Sequence, residues 1–309
     1  MKNILQNSIK LFISALVLVF IFSEVDIDNL INIFGSVDYK LLLISPILFF
    51  IQIFIASLRW QLILNSLEIF LTRLRALKYC WLGFFFNQIL PSSIGGDAYK
   101  IFLLAKNDKC PISKSISSVL LDRLLGFVGI LILITISLPQ ILQIIQFQFF
   151  PLETVHYFVI LMVALIFPIG FKLLNQLSEK FKKFFFEIIN ASRYIFKSRR
   201  IYFILIYSIL IQLILTLCVW VLAFSIQLSI DLRNLFFIVP LANLLATIPI
   251  SIAGWGVREG VIVFSLTALG FSIEESTALS LMYGFLIAVV SLPAGFFILF
   301  GKHESVKGL

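Results

Sequence analysis

Six blocks of apolar residues, each close to the length that crosses a lipid bilayer, dominate this chain. A membrane-spanning helix needs about 20 predominantly apolar residues, because its side chains face hydrocarbon. The blocks occupy residues 8–23, 41–58, 115–138, 155–174, 201–226 and 276–300. Hydrophobic residues make up 61% of the chain and charged residues 13%, whereas a soluble domain carries about 25% charged residues. We therefore predict an all-α polytopic membrane protein and exclude a soluble globular fold.

The first apolar block follows a charged N-terminus, which is also the layout of a secretory signal peptide. After the block comes Ser23-Glu24-Val25-Asp26 instead of the small-residue cleavage site that a signal peptide needs. We therefore predict that this block is retained as the first helix.

Cysteine and histidine show no spacing that indicates a metal site or a disulfide framework. Cys80, Cys110 and Cys218 lie far apart, without a Cys-x-x-Cys or a Cys/His cluster. The chain also has no G-x-S-x-G, no phosphate-binding loop and no Gly-rich dinucleotide turn. We expect no metal, no cofactor and no nucleic-acid partner, and we attribute the net charge of +8 to membrane topology.

Charges are distributed unevenly between the predicted loops. The loop at residues 24–38 carries acidic residues and no basic one, whereas residues 172–200 hold eight basic residues. Because Lys and Arg are enriched on the cytoplasmic side, we predict a multi-pass protein of the plasma (inner) membrane with both termini in the cytoplasm, which places 20 of the 24 basic residues inside. Lysines and phenylalanines interleave at about residues 175–200, which predicts an amphipathic helix on the cytoplasmic leaflet or, alternatively, a solvated loop.

Two apolar segments are interrupted by Pro and Gly. The first, the apolar stretch at 79–94 within residues 79–106, has basic residues on both sides, so we predict that it enters from the cytoplasm and returns there. These residues are Arg59, Arg73, Arg75 and Lys78 before it, and Lys100, Lys106, Lys109 and Lys114 after it. The second, residues 234–270, lies between two loops assigned to the outside and forms either two full helices or a hairpin. We predict about six spanning helices plus two broken or re-entrant segments, or eight spans if both cross fully.

A ten-residue pattern occurs in both interrupted segments. Residues 91–100 align with residues 249–258 through P-x-S-I-small-G-x-x-x-basic. Inverted repeats whose broken helices meet near the bilayer midplane are typical of secondary transporters. We therefore predict a single membrane domain, residues 1–309, with inverted pseudo-repeat halves at about 1–140 and 153–302.

The two breaks predict an anion-binding cavity. A break frees backbone N–H and C=O groups that lipid cannot satisfy, so it persists only beside protein or a wet cavity. Helices that restart after Gly96 and Gly256 would point their N-terminal dipoles at this cavity, with Lys100 and Arg258 about one turn along. The alternative is that the glycines merely permit close helix packing.

Charged residues inside the predicted membrane segments are a second indication of a site. Each such residue costs several kcal/mol in lipid, so it should face the protein interior and find a partner. Adjacent positions on a helix point about 100° apart, so we predict pairing across helices. The predicted pairs are Asp122 or Asp97 with Arg258, and Glu259 with Arg123 or Lys100. A purely structural ion-pair network is the alternative.

These considerations define the candidate substrate-binding residues. Asn87, a polar residue in an aromatic stretch, either contacts the cavity or makes a helix-packing hydrogen bond. The full set is Asn87, Ser93, Gly95, Gly96, Asp97, Lys100, Asp122, Arg123, Ser251, Gly254, Gly256, Arg258 and Glu259. We predict no catalytic and no metal-binding residue.

Four short motifs occur in order along nearly the whole chain. They are Ser57-Leu58-Arg59-Trp60; residues 87–100, read as N-x-x-L-P-S-S-I-G-G-D-x-x-K; Asp122-Arg123; and residues 249–260, read as P-I-S-I-A-G-W-G-V-R-E-G. Together they resemble the transmembrane region of the lysylphosphatidylglycerol synthase family, also called the flippase-like membrane family. The chain departs from the family at Lys100, where Arg is frequent, and at Trp255, where small residues are frequent.

The resemblance implies a polytopic domain that, in the multiple-peptide-resistance synthases, moves an aminoacylated phospholipid between leaflets. Those proteins carry an additional cytosolic aminoacyl-transferase domain. Because the sequence ends at Leu309, we expect this chain not to make lysylphosphatidylglycerol by itself. Other stand-alone relatives are linked to polyprenyl-phosphate sugars.

The leading hypothesis is a lipid flippase or transporter in which Lys100, Arg258 and the freed N–H groups hold the phosphate of an anionic phospholipid or polyprenyl-phosphate lipid. Its expected partners are therefore membrane lipids. One alternative is a membrane enzyme, or an enzyme subunit, that transfers a sugar or similar group from a polyprenyl-phosphate donor, with Asp97 or Asp122 as the base. The other is a non-catalytic membrane scaffold.

Overall fold

The computed structural model describes residues 2–90, 95–144, 192–193, 195–248, 251 and 253–299. Within these residues it is all-helical, with eleven α-helices. They are α1 (Lys2–Glu24), α2 (Ile27–Gly35), α3 (Tyr39–Ser66), α4 (Arg73–Ile89), α5 (Gly95–Asn107), α6 (Ile112–Ile144), α7 (Arg200–Ser225), α8 (Leu232–Ala246), α9 (Val257–Ala268), α10 (Ile273–Ser291) and α11 (Phe296–Leu299), with a 3₁₀ turn at Leu292–Gly295. The predicted span at 155–174 and most of the predicted amphipathic segment lie outside the described residues.

Four helices are long and apolar enough to cross a membrane, and each overlaps a predicted span. They are Tyr39–Ser66, Ile112–Ser137, Arg200–Ser225 and Ile273–Ile298. Between 33% and 44% of the most apolar stretch of each is buried, so most of this apolar surface faces outward, as lipid contact requires. The all-α polytopic prediction is confirmed in this coarse form.

The second predicted span was too short. Helix α3 continues eight residues beyond Leu58 and ends at Ser66, because Ile63 and Leu64 are still fully buried in the apolar core. Arg59 therefore lies inside the helix and is buried, so it is not one of the basic residues that flank the helix. The prediction that assigned Arg59 to the cytoplasmic loop was wrong, and three basic residues remain on that flank.

Helices α3 and α7 form an antiparallel pair at the centre of the bundle. The Arg59 guanidinium donates to the Ser208 hydroxyl over 3.2 Å, and the Cys218 thiol donates to the Ser45 carbonyl over 3.7 Å. A third contact, from the Asp38 N–H to the Ser225 carbonyl, measures 2.8 Å. Because residue numbers fall along one helix as they rise along the other, the two helices run in opposite directions.

Helices α4 and α5 form a hairpin whose two ends lie together. Arg75 and Tyr79, near the start of α4, contact the Asp108 carboxylate just after α5 at 3.2 and 2.9 Å. At the base of the break, the Gly96 N–H donates to the Asn87 side chain over 2.8 Å. The outer ends of this hairpin lie near Ser66, at the C-terminal end of α3.

Helices α8 and α9 pack together. Their outer ends lie near Tyr39, at the N-terminal end of α3. The connection between α1 and α3 contacts the chain on both sides of this pair. Asp38 binds the Ser225 carbonyl before α8, and the Asp26 N–H donates to the Glu274 carboxylate, 3.3 Å away, after α9. These contacts place both ends of α4–α5 near the Ser66 end of α3, and both ends of α8–α9 near its Tyr39 end.

The close approach of α4 and α5 predicts that Gly96→Ala destabilises the protein. A Cβ at Gly96 would overlap the Gly83 carbonyl oxygen, and such backbone overpacking costs roughly 1–3 kcal/mol or more. Thermal unfolding in detergent should show a clearly lowered midpoint. Gly35→Ala is the matched control, since a Cβ there meets no described atom within 4 Å. Equal midpoints for both variants would contradict the packing assigned to Gly96.

Candidate functional site

A polar cavity of about 240 Å³ lies between the central helix pair and the α4–α5 hairpin. Helices α3, α4, α5, α6, α7 and α8 contribute to its wall. The polar and charged residues that line it are Gln52, Arg59, Asn87, Asp97, Lys100, Asp122, Arg123, Gln212, Asn243 and Thr247. The remainder of the wall is mainly apolar, so the charged residues form a compact group in an apolar environment.

Two ion pairs connect three helices in this wall. The Arg59 guanidinium of α3 donates to the Asp122 carboxylate of α6 over 2.9 Å. The Arg123 guanidinium of α6 donates to the Asp97 carboxylate at the start of α5. Each of these four charges is therefore placed beside an opposite charge on another helix, as a low-dielectric interior requires.

Lys100 lies between the two carboxylates without forming a close pair with either. Its ammonium is 3.8 Å from Asp97 and 3.7 Å from Asp122, which exceeds hydrogen-bonding distance. It also lies 4.8 Å from the centre of the Trp60 ring, a cation–π contact. Among the residues that the structure describes, none accepts a hydrogen bond from this ammonium, although the side chain lines the cavity. Lys100 therefore has donors available for an anion.

The structure brings together the described candidate residues between positions 87 and 123. Asn87, Asp97, Lys100, Asp122 and Arg123 all line the cavity. Gly95 and Gly96 begin α5 beside it, where Asn87 accepts the Gly96 N–H. Asn87 thus makes the helix-packing hydrogen bond and also contacts the cavity. Ser93 lies outside the described residues.

The candidate residues of the second repeat lie apart from this cavity. The Arg258 guanidinium donates to Glu259 through two nitrogens, at 3.1 and 2.6 Å, and both side chains are buried. The predictions that Arg258 pairs with Asp97 or Asp122, and Glu259 with Arg123 or Lys100, were wrong. A guanidinium on a long flexible chain can fold back onto its neighbour, even though the two Cα–Cβ bonds diverge.

Glu259 also occupies the start of α9. Its second carboxylate oxygen accepts the Gly256 N–H at 2.7 Å, as in a capping box. The two glycines of this turn, Gly254 and Gly256, have positive φ of 81° and 85°, a conformation that favours glycine. Ser251 is buried before them. The helix N-terminus that was predicted to attract an external anion therefore already holds a carboxylate of the protein in this arrangement.

A short chain of contacts joins the second repeat to the cavity. Arg258 lies 5.4 Å from the ring centres of Trp255 and Tyr283. The Tyr283 hydroxyl donates to the Asn243 side chain over 3.1 Å, and Asn243 lines the cavity. Tyr283 and Asn243 therefore connect the Arg258–Glu259 pair to the cavity that contains Lys100.

Comparison with known proteins identifies the family. The family model described as "Lysylphosphatidylglycerol synthase TM region" matches residues 7–295. The chain belongs to this family.

Two archaeal relatives agree with the assignment. UPF0104 membrane protein MJ1595 of Methanocaldococcus jannaschii is 26% identical over 176 residues, which is 57% of this chain and 45% of that protein. UPF0104 membrane protein PH1989 of Pyrococcus horikoshii is 22% identical over 120 residues, which is 38% of this chain and 36% of that protein. The chain thus spans less than half the length of either relative. Both are named as membrane proteins, and the chain is a multi-pass membrane protein.

Five polar or charged residues of the cavity wall were missed as site residues: Gln52, Arg59, Gln212, Asn243 and Thr247. Arg59 was assigned to a loop, yet the apolar residues after it indicated that the helix continues. Gln52 and Gln212 are single amides within apolar helices, a signal that the sequence offered. Within the described part of the chain, no group of three or more His, Cys, Asp and Glu side chains is arranged to hold a metal ion.

The buried Arg59–Asp122 pair predicts a large loss of stability for Arg59→Met. Removing Arg59 leaves the buried Asp122 carboxylate with only the more distant Lys100 ammonium, 3.7 Å away, and breaking a buried pair costs roughly 3–5 kcal/mol. Arg75→Met is the matched control, because Arg75 is 51% exposed in its pair with Asp108 and such pairs contribute about 0–1 kcal/mol. Unfolding in detergent micelles measures both.

A double variant, Arg59→Met with Asp122→Asn, should recover part of the loss because the carboxylate that lost its partner is removed as well. A loss for Arg59→Met no larger than that for Arg75→Met would contradict the importance of this pair.

Proposed function

We propose that this protein moves a lipid with an anionic headgroup between the two leaflets, and that the headgroup passes through the polar cavity. The Lys100 ammonium carries the proposal. It is buried in the wall of the cavity and has no hydrogen-bond acceptor among the described residues. A phosphate oxygen supplies the acceptor that the two carboxylates, at 3.7 and 3.8 Å, do not.

The charge of the cavity supports an anionic ligand. The charged residues in its described lining are three cations, Arg59, Lys100 and Arg123, and two carboxylates, Asp97 and Asp122. Among these described residues one formal positive charge is in excess, in a low-dielectric environment where an unbalanced charge is costly. A phosphodiester, with a single negative charge, balances it.

The size of the cavity supports entry of the headgroup alone. A volume of about 240 Å³ is below the range of roughly 300–1,000 Å³ that is usual for sites of drug-sized ligands. The hydrocarbon tails remain in lipid along the outward-facing apolar surfaces of the long helices. This division avoids transferring apolar chains into a polar site.

The proposed path uses the two hairpins as re-entrant segments that enter from opposite sides. Their ends lie at opposite ends of α3, which supports an inverted arrangement of the two halves. Helices of 17 and 13 residues in the α4–α5 hairpin extend about 25 and 20 Å, less than the roughly 30 Å of bilayer hydrocarbon. We assign the α4–α5 ends to the cytoplasm, together with both termini.

The second repeat, with Ser251, Gly254, Gly256, Arg258 and Glu259, forms the other part of the proposed path. Its cation is neutralised by Glu259 in the described arrangement. Arg258 would therefore contact a headgroup only after this pair opens. Tyr283 and Asn243 connect this pair to the cavity. Through these contacts, a headgroup bound in the cavity would affect the Arg258–Glu259 pair.

The group-transfer alternative is less well supported by the contacts of its candidate bases. Asp97 has Arg123 and Lys100 beside it, and Asp122 has Arg59 and Lys100. Each carboxylate therefore already has two cations of the protein beside it. These contacts support a role in holding the cations in place.

Lys100→Ala is expected to slow lipid exchange at least about tenfold, because the loss of one charged hydrogen bond amounts to roughly 1.5–3 kcal/mol. The measurement is dithionite quenching of fluorescent phospholipids and polyprenyl-phosphates in proteoliposomes. Lys106→Ala, an exposed lysine on the same helix, is the matched control, and Lys100→Arg should retain exchange. Unchanged exchange of every tested lipid in Lys100→Ala would refute the proposal.

Cysteine labelling tests the paths of the hairpins. Arg73→Cys and Lys106→Cys, at the two ends of α4–α5, should react with an impermeant reagent from the cytoplasmic side. Arg233→Cys and Ala268→Cys, at the ends of α8–α9, should react from the opposite side. The native Cys80, Cys110 and Cys218 are buried and give a low background. Reaction of the first two variants from different sides would mean that α4–α5 crosses the membrane.

A further inference from the structure

A second and larger cavity lies apart from the polar one. It is a groove of about 690 Å³ between α2, α3 and α10, and its volume falls within the roughly 300–1,000 Å³ that is usual for small-molecule sites. We call it the α2–α3–α10 groove. None of its described lining residues is charged, and none of them also lines the polar cavity. The lining includes Phe34, Leu43, Leu222, Trp255, Phe285 and Val289.

The groove is continuous with the surface that faces lipid. Helix α3 and the helical segment that begins with α10 are two of the four that are long and apolar enough to cross a membrane. Leu43 on α3, and Phe285 and Val289 on α10, are exposed, whereas Leu222 on α7 is fully buried. The groove is therefore an indentation of the protein–lipid boundary, with exposed side chains at its edges and a buried one at its base.

The groove extends from the membrane boundary toward the middle of the bilayer. Tyr39, the first residue of α3, lines one end. Trp255 lines the other part and packs on Gly284, where an added Cβ would lie 3.1 Å from the indole. Gly284 is ten residues after the charged Glu274, or about 15 Å along α10. This distance is about half of the roughly 30 Å of bilayer hydrocarbon.

The chemistry of the lining favours a hydrocarbon occupant. The Tyr39 hydroxyl and the Trp255 indole supply the only side-chain O–H or N–H groups among the described lining residues. Water does not settle in an apolar cavity that offers it too few polar partners. An empty groove would lose dispersion contacts along its walls. A lipid chain fills the groove without either cost.

The position of Tyr39 indicates the direction in which a chain would lie. Tyrosine is enriched at membrane–water interfaces, where its ring meets the headgroup region, and Tyr39 is exposed. A phospholipid of the leaflet at this end of α3 would have its headgroup beside Tyr39. Its acyl chain would then run along the groove, and the end of the chain would reach Trp255.

Trp255 is shared by the groove and the second repeat. Its ring centre lies 5.4 Å from the Arg258 guanidinium carbon, and Arg258 is paired with Glu259. The indole therefore separates the groove from this buried ion pair. A chain that packs on Trp255 would hold the indole against the guanidinium.

We propose that the α2–α3–α10 groove binds one acyl chain of a phospholipid from the leaflet at the Tyr39 end of α3, with the end of the chain packed on Trp255. This site takes a hydrocarbon chain, whereas the polar cavity is proposed to take an anionic headgroup. The inference does not depend on the proposed function, because the two sites share no described lining residue.

Quenching of tryptophan fluorescence by brominated phospholipids in proteoliposomes measures the occupancy of the groove. The chain has four tryptophans, so the signal of Trp255 is the difference between the wild-type protein and Trp255→Phe. The control protein combines Trp255→Phe with Phe264→Trp, because Phe264 is 76% exposed on α9 and does not line the groove. Half-maximal quenching of Trp255 should need about threefold less brominated lipid than that of the control indole, since tight packing alone distinguishes the groove from bulk lipid.

Bromine position and the shape of the groove provide two further readouts. Bromine near the end of the chain should quench Trp255 more strongly than bromine near the headgroup. Leu281→Phe and Val289→Phe each add volume to the wall of the groove, so each should raise the half-maximal lipid fraction to the control value. Leu131→Phe is the matched control variant, because Leu131 is exposed on α6 outside the groove. It should leave the quenching of Trp255 unchanged.

Several results would overturn the inference. Equal half-maximal lipid fractions for Trp255 and the control indole would mean that the groove makes only ordinary contacts with bulk lipid. Absence of Trp255 quenching by every brominated lipid would mean that protein, such as a second copy of this chain, covers the groove. Stronger quenching by bromine near the headgroup would exclude a chain that enters at Tyr39. Enrichment that survives in both Leu281→Phe and Val289→Phe would place the bound chain outside the groove.

Discussion

The cost of holding charge inside an apolar helix bundle determines the arrangement of this protein. Arg59, Asp97, Lys100, Asp122 and Arg123 are all in the wall of one cavity, and no single helix supplies both members of a close pair among them. Because each charge needs a partner from another helix, the pairs fix how α3, α5 and α6 are placed together. The same pairs leave Lys100 with unused donors, so the stabilising network and the candidate binding site are one structure.

The helical breaks could be located from sequence because their chemistry is local. Proline and glycine interrupt an apolar segment wherever they occur, and the pattern shared by residues 91–100 and 249–258 follows directly. The partners of the charged residues could not be predicted in the same way. They depend on which faces of long helices meet, and uniformly apolar helices such as α3 and α7 contain little information about their register.

Two particular errors show where local reasoning ends. Arg59 was assigned to a loop because the apolar block was taken to end at Leu58, yet the buried residues after it continue the helix to Ser66. The Arg258–Glu259 pair was excluded by considering only the directions of the Cα–Cβ bonds. The long guanidinium side chain overcomes this divergence, while Glu259 turns back to accept the Gly256 N–H.

The two repeats also differ in a way that their shared pattern conceals. When Lys100 is aligned with Arg258, the following residues are Ile101 and Glu259. The second repeat therefore carries its own carboxylate at the start of its helix, where it satisfies both the cation and a backbone N–H. The first repeat has an apolar residue at that position, and its cation has no hydrogen-bond acceptor among the described residues. In the first copy of the motif, an anion from outside the chain would neutralise Lys100 as Glu259 neutralises Arg258 in the second. For this reason, we propose that only the first copy needs a ligand.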